Sequence, residues 1–145
     1  MGRELRKVAK NWEHPKDGNV YYKPLLGRKF STSLRRWNFK EKKWNQGLRD
    51  NFDGSYVNKE KKYENMSYSK YAGKKPLKED YMPEWKDEEL THIQLYENTT
   101  EGTPISPVFH KDELEKLCEY AENNCTSSGN YRHSKEIWFK FLKNQ

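Results

Sequence analysis

The densest run of chemistry-bearing side chains lies between residues 91 and 106. His92, Gln94 and Tyr96 alternate with apolar residues, so in an extended strand they share one face. The following loop adds hydroxyls from Thr99, Thr100, Thr103 and Ser106, one carboxylate from Glu101, and a glycine, Gly102, that permits close backbone approach or a turn with positive φ. Side chains of these types hold a nucleotide base and sugar by hydrogen bonds. The competing reading is a structural loop, in which Pro104 and Pro107 set the path and the hydroxyls cap loose backbone groups. A second cluster, Trp12-Glu13-His14-Pro15-Lys16, combines a stacking surface, a titratable ring and a cation. It suits a purine over the Trp12 indole with a phosphate beside Lys16; alternatively Trp12 anchors the core and His14 is simply exposed. A third feature is cationic. Arg28, Lys29, Arg35, Arg36, Lys40, Lys42 and Lys43 surround a predicted helix, with Arg35, Arg36 and Lys40 as the candidate phosphate contacts; the competing reading is a solvated helix face.

Catalysis has weaker support. The chain holds no phosphate-binding Gly-rich loop, no Gly-x-Ser-x-Gly and no His-x-Glu with Cys-x-x-Cys. His92 with Glu97 or Glu101 is the nearest approach to a general base. Binding rather than turnover is expected, with no cofactor and no metal. Cys118 and Cys125 cannot build a disulfide framework or a cysteine zinc site by themselves; Cys118 falls on an apolar helix stripe and Cys125 in a loop, where exposure is expected.

The elements that must position these groups belong to a chain of 145 residues, a length that suits one domain, with residues 1–10 as an edge strand or a flexible basic arm. Leu, Ile, Val and Phe together number 24, a poor supply for a core, whereas 5 Trp and 10 Tyr bury large areas per residue. A small aromatic core under a charged surface is expected. The net charge of +6 is unevenly placed: residues 1–75 carry 20 Lys and Arg against 8 Asp and Glu, residues 76–145 carry 8 against 14. Either a basic surface faces an anion or the two halves neutralise one another. No run is long and apolar enough to span a membrane, and MGRELRKVAKNW lacks the apolar stretch of a secretory signal.

Periodicity predicts a helix over 31–49, capped by Ser31, Thr32 or Ser33, with Leu34, Trp37, Trp44 and Leu48 on one face. Further predictions are a turn at Asp53-Gly54, a helical turn over 67–72 closed by Gly73, a strand over 90–97 and a short strand at Val108-Phe109. Two more helices are predicted: 111–124, with Leu114, Leu117, Cys118 and Ala121 inward, and 134–143, capped by Ser134, with Ile137, Trp138, Phe141 and Leu142 inward. The fold class is α+β, about three helices on a small, mostly antiparallel sheet, with Trp37, Trp44, Trp85, Trp138 and Phe141 as anchors.

Three segments carry a resemblance. Trp12-Glu13-His14-Pro15, then Lys78-Glu79-Asp80-Tyr81-Met82-Pro83-Glu84-Trp85, then Thr91-His92-Ile93-Gln94-Leu95-Tyr96-Glu97 with Thr99 and Glu101-Gly102-Thr103-Pro104-Ile105-Ser106-Pro107 resemble, in this order, small uncharacterised accessory proteins of tailed phages and prophages. The resemblance covers about half of the chain and brings no assigned activity or catalytic residue. It implies a phage accessory protein in a bacterial cytoplasm, in a context where such proteins often disable host defence. The expected function is therefore a sponge that sequesters an anionic, nucleotide-derived signal, its base and sugar on the 91–106 segment and its phosphates on the basic half. The alternatives are a protein that blocks a host nuclease or defence effector by contact, and a nucleic-acid-binding protein. No membrane partner is expected, and the oligomeric state is open.

Overall fold

A computed structural model describes residues 2–145. The fold is α+β, with four α-helices and antiparallel sheets among the described residues. The chain, expected to form one domain, divides into two compact units: Met1–Gly27 with Pro83–Gln145, and the intervening Arg28–Met82. Among the described residues no helix is long and apolar enough to cross a membrane.

The first unit is built on a four-stranded antiparallel sheet. Strand β1 (Arg3–Val8) pairs along its whole length with β6 (His92–Glu97), Val8 opposite His92 and Arg3 opposite Glu97. On its other side β6 carries β7 (Thr103–Pro104) and β8 (Phe109–His110). Residues 3–8 are thus an edge strand and not a free arm. Both arginines are used internally: buried Arg3 donates to the Thr126 carbonyl at 2.7 Å, and Arg6 grips Glu4 and the Leu25 carbonyl, while Lys7 is exposed. A separate two-stranded ribbon, β2 (Lys16–Asp17) with β3 (Tyr21–Tyr22), extends from this unit.

Because β6 is central, both of its faces are covered. Ile93 and Leu95 pack into a core with Leu117, Cys118 and Ala121 of α3 (Leu114–Asn124) and Trp138 and Leu142 of α4 (Lys135–Leu142). The Ser134 hydroxyl caps α4 as predicted, accepting from the Ile137 amide. Three expectations fail here. Ile137 is 48% exposed, since it falls on the outer side of α4, and Trp85 and Phe141 are only partly buried. Cys125 is buried, its thiol directed at the Ile105 carbonyl, because the chain leaving α3 turns back under the sheet.

The second unit is organised by α1 (Phe30–Asn45), the ribbon β4 (Leu48–Asp50) with β5 (Tyr56–Asn58), and the short helix α2 (Tyr68–Ala72). The turn at Asp53-Gly54 joins the ribbon, and Ser67 and Gly73 bound α2 as their types dictate. Helix α1 is shorter than predicted: Lys29 occupies the N-cap with no side-chain hydrogen bond, and Gly47, at positive φ, ends the helix and releases Leu48 into β4. Trp37 and Trp44 are buried on one helix face. Trp44 stacks on Tyr71 at 4.4 Å and donates to the Met66 carbonyl, and Trp37 packs edge-on against Tyr68. Aromatic rings supply this core because aliphatic residues are few.

Candidate functional site

Each unit contains a concave surface, and the two differ in how their polar groups are employed.

The cleft of the first unit, about 870 Å³, lies between the Trp12–Lys16 segment with Tyr22 and the Pro104–Val108 loop with Tyr120. Five of the residues expected to bind a ligand line it: Trp12, His14, Lys16, Gln94 and Ser106. Behind them sits Tyr96, fully buried. Its hydroxyl accepts from the Trp12 indole at 3.0 Å, lies 3.0 Å from His14 Nδ1 and donates to Gln94 Oε1 at 3.1 Å. Gln94 Nε2 donates to the Ser106 carbonyl at 2.9 Å; Ser106 Oγ accepts from the Leu95 amide and donates to the Pro107 carbonyl. The two candidate segments of the sequence are therefore brought together, but their hydrogen bonds are spent on each other.

The proton count makes this specific. His14 Nε2 faces the Lys23 carbonyl, which only accepts, so Nε2 carries the proton. Burial pushes the imidazole below its ordinary pKa, the bond to Lys23 opposes this, and Arg6 adds to it. The neutral ring then leaves Nδ1 as an acceptor, and Tyr96 has one proton for two acceptors, Nδ1 and Gln94 Oε1. Burial also raises the Tyr96 phenol to about 12, against the bond from Trp12 and the nearby Arg6 guanidinium, 4.2 Å above the ring. The hub is neutral across the physiological range. His14, read from the sequence as a ligand or an exposed residue, is not exposed: it is buried between the ribbon and the sheet, in the wall of the cleft.

The remaining residues of the 91–106 segment serve the loop. Thr99 donates to Glu97, and the Thr100 and Thr103 hydroxyls meet at 2.8 Å. The Thr91 hydroxyl meets His92 Nδ1, and the His92 ring packs edge-on against that of His110. Glu101 is exposed with φ of 68°. None of His92, Thr99, Glu101 and Thr103 lines the cleft. Gly102 is needed for a protein contact and not a ligand: a Cβ there would lie 2.1 Å from the Leu25 carbonyl and 2.3 Å from Arg6. Among the described residues no group of three or more His, Cys, Asp or Glu side chains could hold a metal ion.

The groove of the second unit, about 670 Å³, is different in kind. Its walls are aromatic, from Trp37, Trp44, Phe52, Tyr68, Tyr71 and Tyr81, and its cations are Arg28, Arg36, Lys40 and Arg49. Two of these are neutralised. Lys40 contacts Asp50 at 3.0 Å, and Arg49 forms a two-pronged pair with Glu60 that holds the Glu60 carboxyl down at about 2. Arg28 and Arg36 have no carboxylate partner among the described residues, although Arg28 lies 5.9 Å over the Tyr81 ring. Of the predicted phosphate contacts, Arg36 and Lys40 line the groove, one helical turn apart, whereas Arg35 points elsewhere on α1. The Trp37 indole N–H is buried without an acceptor.

Sequence reasoning placed Arg28 in the basic cluster but missed Phe52 and Tyr81 as parts of this surface. Phe52 follows a strand no pattern marked, yet an aromatic within Asp50-Asn51-Phe52-Asp53-Gly54 was a signal, since turn tips seldom carry large rings without use. The unit holds 15 Lys and Arg against 7 Asp and Glu, the first unit 13 against 15. The basic excess of the chain thus belongs to Arg28–Met82. Comparison of the chain with protein-family models, with curated proteins and with solved structures found no match.

Proposed function

We propose that the chain is a binding protein for nucleotide-type anions, which it holds in the groove of the Arg28–Met82 unit without chemical turnover. The observation that supports this most is the pair of guanidiniums, Arg28 and Arg36, left without carboxylates beside a wall of aromatic rings. Guanidinium planes match phosphate oxygens in two-pronged geometry, and the rings offer stacking faces to a base. The expected sponge keeps its chemistry on this reading, but its site moves from the 91–106 segment to the basic unit. The resemblance to phage accessory proteins supplies the setting: in the cytoplasm of an infected bacterium, such a protein counters host defence by withholding its ligand.

Calorimetric titration with a panel of mono- and cyclic nucleotides, followed by recovery of the ligand from denatured protein, tests the proposal. Binding with intact recovery is expected. Arg28→Ala with Arg36→Ala should weaken it at least tenfold at unchanged melting temperature, since both side chains are exposed. Equal binding by the double variant removes the groove from the account.

A further inference from the structure

Resting on the nucleotide reading of this groove, we infer that its ligand is a single-stranded nucleic acid, followed along helix α1 over several nucleotides. The first observation is a stripe of cations. Lys29, Arg36 and Lys43 recur at seven-residue spacing, so the three lie on one side of the helix, with the Asp50-paired Lys40 between the last two, beside the groove edge marked by Trp37 and Trp44. At 1.5 Å per residue the stripe runs roughly 21 Å. A stacked strand advances about 3.4 Å per nucleotide, so a mononucleotide occupies only a fraction of it.

The second observation is that exposed rings accompany the cations. Phe39 is 55% exposed and meets Tyr56 edge-on at 5.9 Å, with Lys43 Nζ 5.5 Å from the Phe39 ring and 5.7 Å from that of Tyr56. Tyr56 pairs directly with Asp50 in the ribbon, and Asp50 holds Lys40. The cation track and these rings are therefore one continuous surface.

The third observation is Phe52. It lines the groove, is 83% exposed and stands at φ of 62°, a left-handed conformation that a bulky residue adopts at a cost. Asp50 enforces it by accepting from the Phe52 amide at 2.8 Å. The same carboxylate thus fixes a ring outward and a cation beside it. Unpaired bases can stack on rings arranged in this way, whereas the bases of a duplex are already stacked.

Fluorescence anisotropy with labelled oligo-dT and oligo-U of 4, 8 and 16 nucleotides, a 16-base-pair duplex, and competing mononucleotides tests the inference. Affinity should rise with strand length and then level, the duplex should bind at least tenfold more weakly than the 16-mer, and affinity should fall as salt is raised. Arg36→Ala with Lys43→Ala should weaken the 16-mer at least tenfold; Phe52→Ala should weaken it about tenfold and Phe52→Trp should restore it. If mononucleotides compete as well as the 16-mer, the inference fails while the proposed function stands. Duplex binding equal to that of single strands also overturns it. If neither strands nor nucleotides bind, both fail.

Discussion

The cleft of the first unit and the groove of the second contain similar residue types, Trp, Tyr and basic side chains around a concave surface, yet their chemistry is opposite. In the cleft, Trp12, His14, Gln94, Tyr96 and Ser106 satisfy one another through bonds of about 3 Å. A ligand there would have to displace bonds already made, and an intramolecular bond left unmade when buried costs about 1–3 kcal/mol. In the groove, Arg28 and Arg36 are exposed, so a phosphate has only their water to displace and no bond within the protein to break. Polar residues mark a binding surface when their partners are missing, not when they are numerous.

The largest expected effect tests the scaffold that holds the groove. Trp44 is stacked on Tyr71, covered by Lys59 at 4.3 Å and hydrogen-bonded to Met66. Trp44→Ala should destabilise the Arg28–Met82 unit by about 3–5 kcal/mol. Far-ultraviolet circular dichroism during denaturation, with Trp138→Ala as the matching lesion in the first unit, should show two transitions that respond separately. A single transition shifted equally by both variants contradicts the division into units.

Next in size, Tyr96→Phe removes one oxygen and strands two partners, the Trp12 N–H and the Gln94 Oε1 that takes the hydroxyl proton. A loss of roughly 2–3 kcal/mol is expected, at the upper range for an unsatisfied buried polar group. Nucleotide binding should be unchanged once the protein is folded. Lost binding at retained stability would return the site to the cleft.

Much of this was legible in the chain. The apolar stripe of 114–121, the Ser134 cap, the Gly73 stop, the alternation of 92–97 and the burial of Trp37 and Trp44 follow from local rules, and the structure carries them. The candidate site was legible only as a set of residues that come together: five of ten meet at one cleft. Their role was hidden because hydrogen-bond satisfaction is a tertiary property. Nothing local says that Tyr96 lies beneath Trp12 and His14, or that Gly102 is needed for the Leu25 carbonyl. Arg36 and Lys40 were visible as cations, but that Lys40 is neutralised by Asp50 and Arg36 is not depends on the register of a ribbon too short to show a pattern.

The smallest effect sharpens the account of the cleft through pH. Burial lowers the pKa of His14 in the folded protein relative to its ordinary value of 6.5. The unfolded chain therefore takes up a proton near that pH while the folded chain does so only at lower pH. Between the two, the unfolded state binds more protons, so stability rises with pH. The contribution is intact above 6.5, declines as the medium is acidified below it, and stops changing once the folded imidazole has also titrated. Carboxylates in the unfolded chain titrate near 4, so the window just below 6.5 belongs to histidine. His14→Gln keeps a donor and an acceptor but cannot titrate. Urea denaturation at pH 7.5, 6.5 and 5.5 should show wild-type stability declining over the two lower steps, with a shallower decline in His14→Gln. Parallel profiles would show that His14 does not titrate differently on folding, and hence that the Tyr96 hub accommodates the charged ring. In that case Nδ1 donates to the Tyr96 oxygen, the hydroxyl proton is freed for Gln94 alone, and the gain from completing the hydrogen bonds offsets the cost of the buried charge.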